Sequence, residues 1–310
     1  MIDVQALFSN STQKNTHGVF NLNHSMGSIA LDHGKGIEAF LSHAHSDHIK
    51  GIRKRTEIIS SDITRDLAGL SAKTKLLPGT RLLDAGHILG ARQLLVEHDG
   101  SRSVYTGDFC VRSSIITKGC EIPQCDELIM EATYGDPMYR FPDYVDVCMN
   151  LATWVNTHPT QNIIIGCYEL GKAQELVKVL NEYAGVIPVV TENMDFFCSV
   201  YKKHGVSLKW ACVGSEEAEN IMKKPFVALL PMRKAKRYFA KRLAEAFGRE
   251  TLCAITTGWA LNYRFNVDAS FPLSDHADFY DLKYFIEQSG AKKVSFFCGN
   301  GEKLLKSIGI

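Results

Sequence analysis

His43-Ala44-His45-Ser46-Asp47-His48 follows the apolar run Ala39-Phe40-Leu41 with only Ser42 between. Three imidazoles and a carboxylate within six residues are too many titratable groups to bury unless something pairs them. A divalent metal does so. Zinc takes neutral imidazole nitrogen and carboxylate oxygen, and a loop leaving a strand can direct His43 and His45 to one ion and Asp47 and His48 to a neighbouring one. The plainer reading is a polar turn that happens to be rich in histidine. Against it stand two further candidates in the same setting of strand end and loop, Gly86-His87 after Arg81 to Leu83 and Gly107-Asp108 after Val104-Tyr105. Either pair alone is an ordinary turn.

Composition sets the frame. The chain has 310 residues, 45% of them hydrophobic, with 35 Lys and Arg against 34 Asp and Glu, which excludes a disordered chain and a coiled coil and fits about two domains. The longest apolar runs, such as Phe226 to Leu230, are far shorter than a membrane span requires. The opening MIDVQALFSNST lacks the basic and then apolar order of a signal peptide, so a cytoplasmic location and no membrane partner are expected. Nine scattered cysteines then read as reduced thiols, and the Cys120 and Cys125 pair lacks the second pair that a zinc knuckle needs. Charge is uneven: between Lys202 and Arg249 twelve Lys or Arg face four Glu, an asymmetry that suggests an anionic partner for that segment.

The patterning changes along the chain. The first 130 residues alternate short strands (Gly18–Leu22, Ser28–Leu31, Ala39–Leu41, Arg81–Leu83, Gln93–His98, Ser103–Tyr105, Leu128–Met130) with Gly and Asn or Asp turns. A helix over Asp143–Val155 opens a block of alternating strands and helices: strand Asn162–Cys167, helix Lys172–Tyr183, strand Val186–Val190, helix Met194–His204, strand Phe226–Leu230 and helix Arg233–Phe247. That alternation predicts an α/β domain with a largely parallel sheet. A strand at Leu252–Thr256, a helix at Phe279–Gln288 and a strand at Lys293–Cys298 complete the reading.

Taken in order, HxHxDH (43 to 48), Gly86-His87 and Thr106-Gly107-Asp108 resemble the metallo-β-lactamase superfamily. Glu131-Ala132-Thr133-Tyr134-Gly135 and Ser274-Asp275-His276-Ala277-Asp278 resemble the motif A acid and motif B histidine of its β-CASP nuclease branch, and Leu170-Gly171-Lys172-Ala173-Gln174-Glu175 resembles a helix-opening stretch of the inserted β-CASP cassette. Within that branch the stretches at 131 to 142, 256 to 261 and 274 to 278 look closest to ligase-associated DNA exonucleases and mRNA 3′-end processing factor homologues. The resemblance implies a four-layer αβ/βα sandwich in two parts, residues 1–140 and 263–310, around a β-CASP α/β insert at 141–262. It implies a metal-dependent nuclease, an exonuclease by the nearest group, acting on DNA or RNA beside repair or RNA-processing partners.

The site residues follow by the same resemblance. His43, His45 and His87 would hold a first zinc, Asp47 and His48 a second, with Asp108 bridging and manganese as the alternative ion. Water activated there would attack phosphorus, Asp47 would help to orient it, and His276, held by Glu131, would protonate the leaving oxygen. The motif C register departs from the pattern: Cys298-Gly299-Asn300-Gly301-Glu302 puts Asn300 where a histidine ligand is expected, and an amide oxygen is the poorer zinc ligand. One tight and one weaker metal are therefore expected. A catalytically weak, nucleic-acid-binding homologue is the alternative that Asn300 allows, and a small-molecule hydrolase is a third that leaves the basic middle segment unexplained. In that segment Ala235, Phe239, Leu243 and Ala246 form an apolar stripe, leaving Lys234, Arg237 and Lys241 together on another face as candidates for contact with phosphates.

Overall fold

A computed structural model describes residues 20–24 and 27–309; Gly18 and Val19 of the first expected strand lie outside them. The chain forms two compact units: one holds the residues up to 113 together with 117–140 and 276 onward, the other 114–116 and 141–275.

The first unit begins with β1 (Phe20–His24), β2 (Gly27–Leu31) and β3 (Glu38–Phe40), joined in a three-stranded sheet. β4 (Glu57–Ile58), α1 (Asp62–Leu67) and β5 (Lys73–Thr74) follow. Next come β6 (Thr80–Asp84), β7 (Arg92–His98), β8 (Ser101–Tyr105) and β9 (Glu127–Ala132). The second unit supplies α2 (Tyr144–Asn156), β10 (Asn162–Cys167), α3 (Lys172–Val179), β11 (Val189–Val190), α4 (Glu192–Lys203), β12 (Ala211–Cys212), α5 (Glu216–Met222), β13 (Val227–Pro231), α6 (Arg237–Phe247), β14 (Thr251–Thr256) and β15 (Ala269–Phe271). The chain then returns to the first unit for α7 (Phe279–Ser289), β16 (Lys293–Gly299) and α8 (Gly301–Ser307).

In the first unit a five-stranded sheet of order β16-β9-β8-β7-β6 lies against the three-stranded one. One apolar cluster draws from both: Leu22, Ile29, Leu31 and Phe40 meet Leu94, Val96, Tyr105 and Ile129. Along β7 the alternation is plain, since Leu94 and Val96 enter this core while Gln93 and Leu95 point to the other face. Phe285 of α7 packs on Phe109 in the loop after β8, ring centroids 4.7 Å apart.

The second unit is a parallel sheet of order β12-β11-β13-β10-β14-β15. All six residues of β10 are buried, as a strand covered on both faces must be. Ile164 packs with Ala228, Ala235 and Cys253 on one of those faces. The expected strand Asn162–Cys167 is reproduced, and the helix expected from Lys172 to Tyr183 is α3 continued by a π turn at Leu180–Ala184. The expected end of the insert at 262 shifts to 275, because β15 pairs with β14 and carries 263–275 into this unit.

The basic helix also starts later than its periodicity suggests. Lys234 N–H donates to the Pro231 carbonyl (2.7 Å) in a turn, and Lys236 is extended, so α6 begins at Arg237. Ala235, buried, fills the space above Gly166, where a Cβ would come within 2.5 Å of it. Close packing of the turn on β10 overrides helix propensity here.

Replacing Ile164, fully buried in β10, by Ala should lower unfolding free energy by about 2 to 5 kcal/mol, the range for a truncated core side chain. Urea unfolding followed by fluorescence checks this; a loss below about 1 kcal/mol would mean that β10 is not the centre of the core.

Candidate metal centre

Strand direction gathers the site. β8, β9 and β16 are parallel, and β7 is antiparallel to both β6 and β8, so β6, β8, β9 and β16 all run one way. Their C-terminal ends open on one edge of the sheet. His87 follows β6, Asp108 follows β8, Glu131 lies near the end of β9, and Asn300 follows β16. The loop after β3 brings His43 to the same edge, fastened where Arg92 N–H of β7 donates to the Ser42 carbonyl at 2.9 Å.

The glycines before His87 and Asp108 have a physical reason. Gly86 has φ +72° and Gly107 φ +54°, the left-handed region. A Cβ on Gly86 would lie 2.2 Å from the Cys110 carbonyl oxygen, and one on Gly107 would lie 2.5 Å from Ser42 Cβ. The loops can turn their ligand candidates inward only without that atom.

His45 Nδ1 lies 3.1 Å from His43 Nε2 and 3.2 Å from His87 Nε2. Asp108 Oδ2 is 3.4 Å from His43 Nε2, 3.6 Å from His48 Nε2 and 3.9 Å from His87 Nε2. One ligand atom from each of His43, His45, His87 and Asp108 falls within 4.8 Å of the others. Three ring nitrogens facing one another cannot all be donors, and a cation at their centre satisfies them together. Burial, with the neighbouring histidines, holds His43 well below its usual range, so it offers the neutral imidazole that a metal requires. This donor set of imidazoles and carboxylate fits a divalent metal.

His48 sits differently. Burial works against its charge but is outweighed by Asp108 and Asp32, which raise its pKa to about 10. Its Nδ1 is 2.7 Å from Asp32 Oδ2, leaving Nε2 toward Asp108 and, at 3.8 Å, Asp47. The Asp47 side chain is 53% exposed, as a group meant to meet solvent or substrate would be.

Asp32 was not singled out from the sequence, yet it organises this corner. Its carboxylate accepts the Ser42 N–H and hydroxyl, both at 2.7 Å, and the Tyr105 hydroxyl at 2.8 Å, in addition to His48 Nδ1. The Ser42 hydroxyl in turn lies 2.9 Å from His43 Nδ1. The available signal was an acidic residue directly after the apolar end of β2, at a position with φ +52° that Asp tolerates better than most.

Glu131 and His276 form a second pair. His276 Nδ1 is 2.9 Å from both carboxylate oxygens of Glu131. Facing a carboxylate, Nδ1 is the donor of this contact, so the pair fixes the orientation of the ring and turns Nε2 away from Glu131. Glu131, fully buried, also accepts the Phe109 N–H (2.8 Å) and the Thr133 hydroxyl (2.5 Å). The next residue, Ala277, donates its N–H to the Phe109 carbonyl at 2.8 Å and so holds His276 beside Asp108. The helix that follows, α7, is capped by Asp278, whose carboxylate accepts from Tyr280 and Asp281 N–H.

Asn300 is exposed at the N-cap of α8, with its N–H donating to Ala132. No hydrogen bond from its side chain to the histidine cluster is seen among the described residues. Cys298 lies 3.9 Å from the Thr133 hydroxyl, and burial together with Glu131 pushes its thiol up, which suits a protonated packing group better than a ligand. The expected helical face of Lys234, Arg237 and Lys241 is corrected: Lys234 lies in the turn before α6, and Arg237 is engaged by Asp268 (2.9 Å) and the Val267 carbonyl (3.1 Å). Lys241 is exposed on α6.

Comparison with known proteins adds to this geometry. No family model matches the chain. A probable DNA ligase of Opitutus terrae is 34% identical over 280 residues, 83% of this chain and 26% of the ligase. An RNase J-like protein of Methanocaldococcus jannaschii is 31% identical over 33% of this chain and 25% of its own. The 5′ exonuclease Apollo of Danio rerio is 27% identical over 50% of this chain and 32% of its own. The chain belongs to the β-CASP nuclease branch of the metallo-β-lactamase superfamily. It spans about a quarter to a third of the length of these relatives. A solved structure of a protein of unknown function from Enterococcus faecalis shares the fold, with a TM-score of 0.58 and 16% identity over 86% of this chain and 76% of that one. No helix among the described residues is long and apolar enough to cross a membrane.

Because Asp32 orients His48, Asp32→Asn should weaken metal retention about 10- to 100-fold, as loss of an outer hydrogen-bond partner does elsewhere. Metal content across a chelator titration measures this; unchanged retention would show that Asp32 serves the fold alone.

Proposed function

We propose that this β-CASP chain is a zinc-dependent nuclease that hydrolyses phosphodiester bonds of DNA or RNA, working as an exonuclease. The observation that carries the reading is the His43, His45, His87 and Asp108 cluster with the Glu131 and His276 pair at the same sheet edge. The relatives named for nuclease activity support it. The two facing sheets of the first unit, with α7 outside, support a four-layer αβ/βα sandwich, and residues 141–275 support a β-CASP insert.

His43, His45, His87 and Asp108 would hold the first metal; Asp47 and His48 would join Asp108 and, in the motif C register, Asn300 around a second. Bound there, zinc, or manganese in its place, supplies an activated water and neutralises charge on the phosphate oxygens. Asp47, exposed beside His48, orients the attacking water. Glu131 fixes the His276 tautomer through Nδ1, and His276 Nε2 delivers the proton to the leaving oxygen. Lys234 and Lys241 are exposed cations suited to backbone phosphates; Arg237 would have to leave Asp268 to join them. A cytoplasmic setting and a repair partner are in keeping with the relative named as a DNA ligase. The exposed Asn300 favours one competing reading, a weakly active homologue that binds nucleic acid for other proteins.

End-labelled DNA and RNA of one sequence, digested side by side with zinc or manganese, test the reading; binding without any cleavage would favour the competing one. His276→Ala should lose about 10² to 10⁴ in single-turnover rate, the usual worth of general acid catalysis, while keeping its metal. His45→Ala should lose both. Unchanged cleavage by the His276 variant would remove it from the reaction.

Metal stoichiometry is a separate expectation. The first site offers three imidazoles and the second an amide in the motif C register, so elemental analysis should find one tight metal and one weaker. Asn300→His should raise the second occupancy; two equally tight metals in the unaltered protein would show that the amide is no handicap.

A further inference from the structure

The second unit buries an ionic group that the reaction as described does not use. Lys172, the first residue of α3, is 1% exposed. Its ammonium lies 2.5 Å from Glu175 Oε2 and 3.9 Å from Asp275 Oδ2. Glu175 shares a hydrogen bond with the Tyr144 hydroxyl, and that hydroxyl accepts the Ile115 N–H at 3.1 Å. The group therefore runs Ile115, Tyr144, Glu175, Lys172, Asp275, entirely inside the second unit.

Local stability does not account for it. Each buried ion carries a desolvation penalty that its partner seldom more than repays, and a cation at the first turn of a helix opposes the helix dipole. Its members stand instead where the chain changes units. The chain passes between units at 113/114, 116/117, 140/141 and 275/276. Ile115 lies between the first two passages, Tyr144 opens the helix after the third, and Asp275 is the last residue before the fourth. The residue after Asp275 is His276.

We propose that Lys172 is a positioning residue: by holding Asp275 through the buried group with Glu175 and Tyr144, it sets where the chain releases His276 for proton delivery. The inference rests on the role given to His276 above. The Lys172 ammonium faces Asp275 on one side at 3.9 Å, and Ala277 is held on the other by the Phe109 carbonyl. His276 hangs between these two anchors, with Glu131 holding its ring. Removing the Lys172 anchor should leave the metal ligands intact and loosen the acid alone.

The test compares two leaving atoms. Oligonucleotides of one sequence carry either the ordinary bridging oxygen or a bridging sulfur at the 3′ or 5′ position, whichever is the leaving atom. A departing thiolate needs no proton, so a defect confined to acid delivery disappears with sulfur. For Lys172→Met, single-turnover cleavage of the oxygen substrate should fall about 10- to 100-fold, the scale of losing a supporting partner, with metal content and oligonucleotide affinity unchanged and the sulfur substrate cleaved at nearly the wild-type rate. Asp275→Asn, at a less buried site, should give the same selectivity if Lys172→Met folds poorly. Lys172→Arg, which keeps the charge, should restore the oxygen rate. His276→Ala is the reference. If that variant loses oxygen and sulfur substrates equally, the acid assignment itself fails. If it is selective for sulfur while both the Lys172 and Asp275 variants lose the two substrates equally, or lose neither, the positioning role of Lys172 is overturned.

Discussion

Imidazole nitrogens 3.1 and 3.2 Å apart tolerate at most one proton per facing pair, and the first unit is arranged around that constraint. His43 and His45 from the loop after β3 and His87 from the end of β6 must therefore meet with few protons between them, and the groups around them must be held in place. The Ser42 hydroxyl serves His43 and the Asp32 carboxylate serves His48. Asp32 also fastens Ser42 and Tyr105, so a single buried carboxylate aligns the loop after β3 with the end of β8. A mixed five-stranded sheet with one reversed strand, β7, is enough to bring the remaining groups to the same edge.

The two carboxylates of the centre work in opposite senses. Asp108, which burial pushes up in pKa despite the pull of His48, faces several histidines and makes best sense with a cation beside it. Glu131 is saturated by protein donors: the Phe109 N–H, the Thr133 hydroxyl and the His276 ring. Asp108 faces imidazole rings, whereas Glu131 is locked in place by protein donors.

How much of this was legible in the sequence depended on range. His43 to His48 lie within one turn and loop, and the glycines before His87 and Asp108 record local backbone demands, so these groups announced themselves by spacing. Asp32 did not, because its partners Ser42, His48 and Tyr105 are 10, 16 and 73 positions away and an isolated Asp after a strand is unremarkable. The strands of the middle block were readable from apolar runs, β10 above all. The start of α6 was not, since the periodicity of Arg233 to Phe247 cannot reveal that Ala235 must sit in a turn over Gly166. Lys172 was read only as part of the stretch that opens a cassette helix; its burial is a tertiary fact.

The placement of β16 beside β9 bears on how the protein reaches its native state. These neighbouring parallel strands pair Lys293 with Glu127, 166 positions apart, with residues 141–275 of the second unit between them in sequence. Closing a loop of that length from an unfolded chain is slow and entropically costly, because the cost rises with the logarithm of loop length. If residues 141–275 condense first, the Tyr144, Glu175, Lys172 and Asp275 contacts bring their two ends together, and the remaining loop is only the flanking segments. By the same logarithm this reduces the closure cost by about 1.5 kcal/mol.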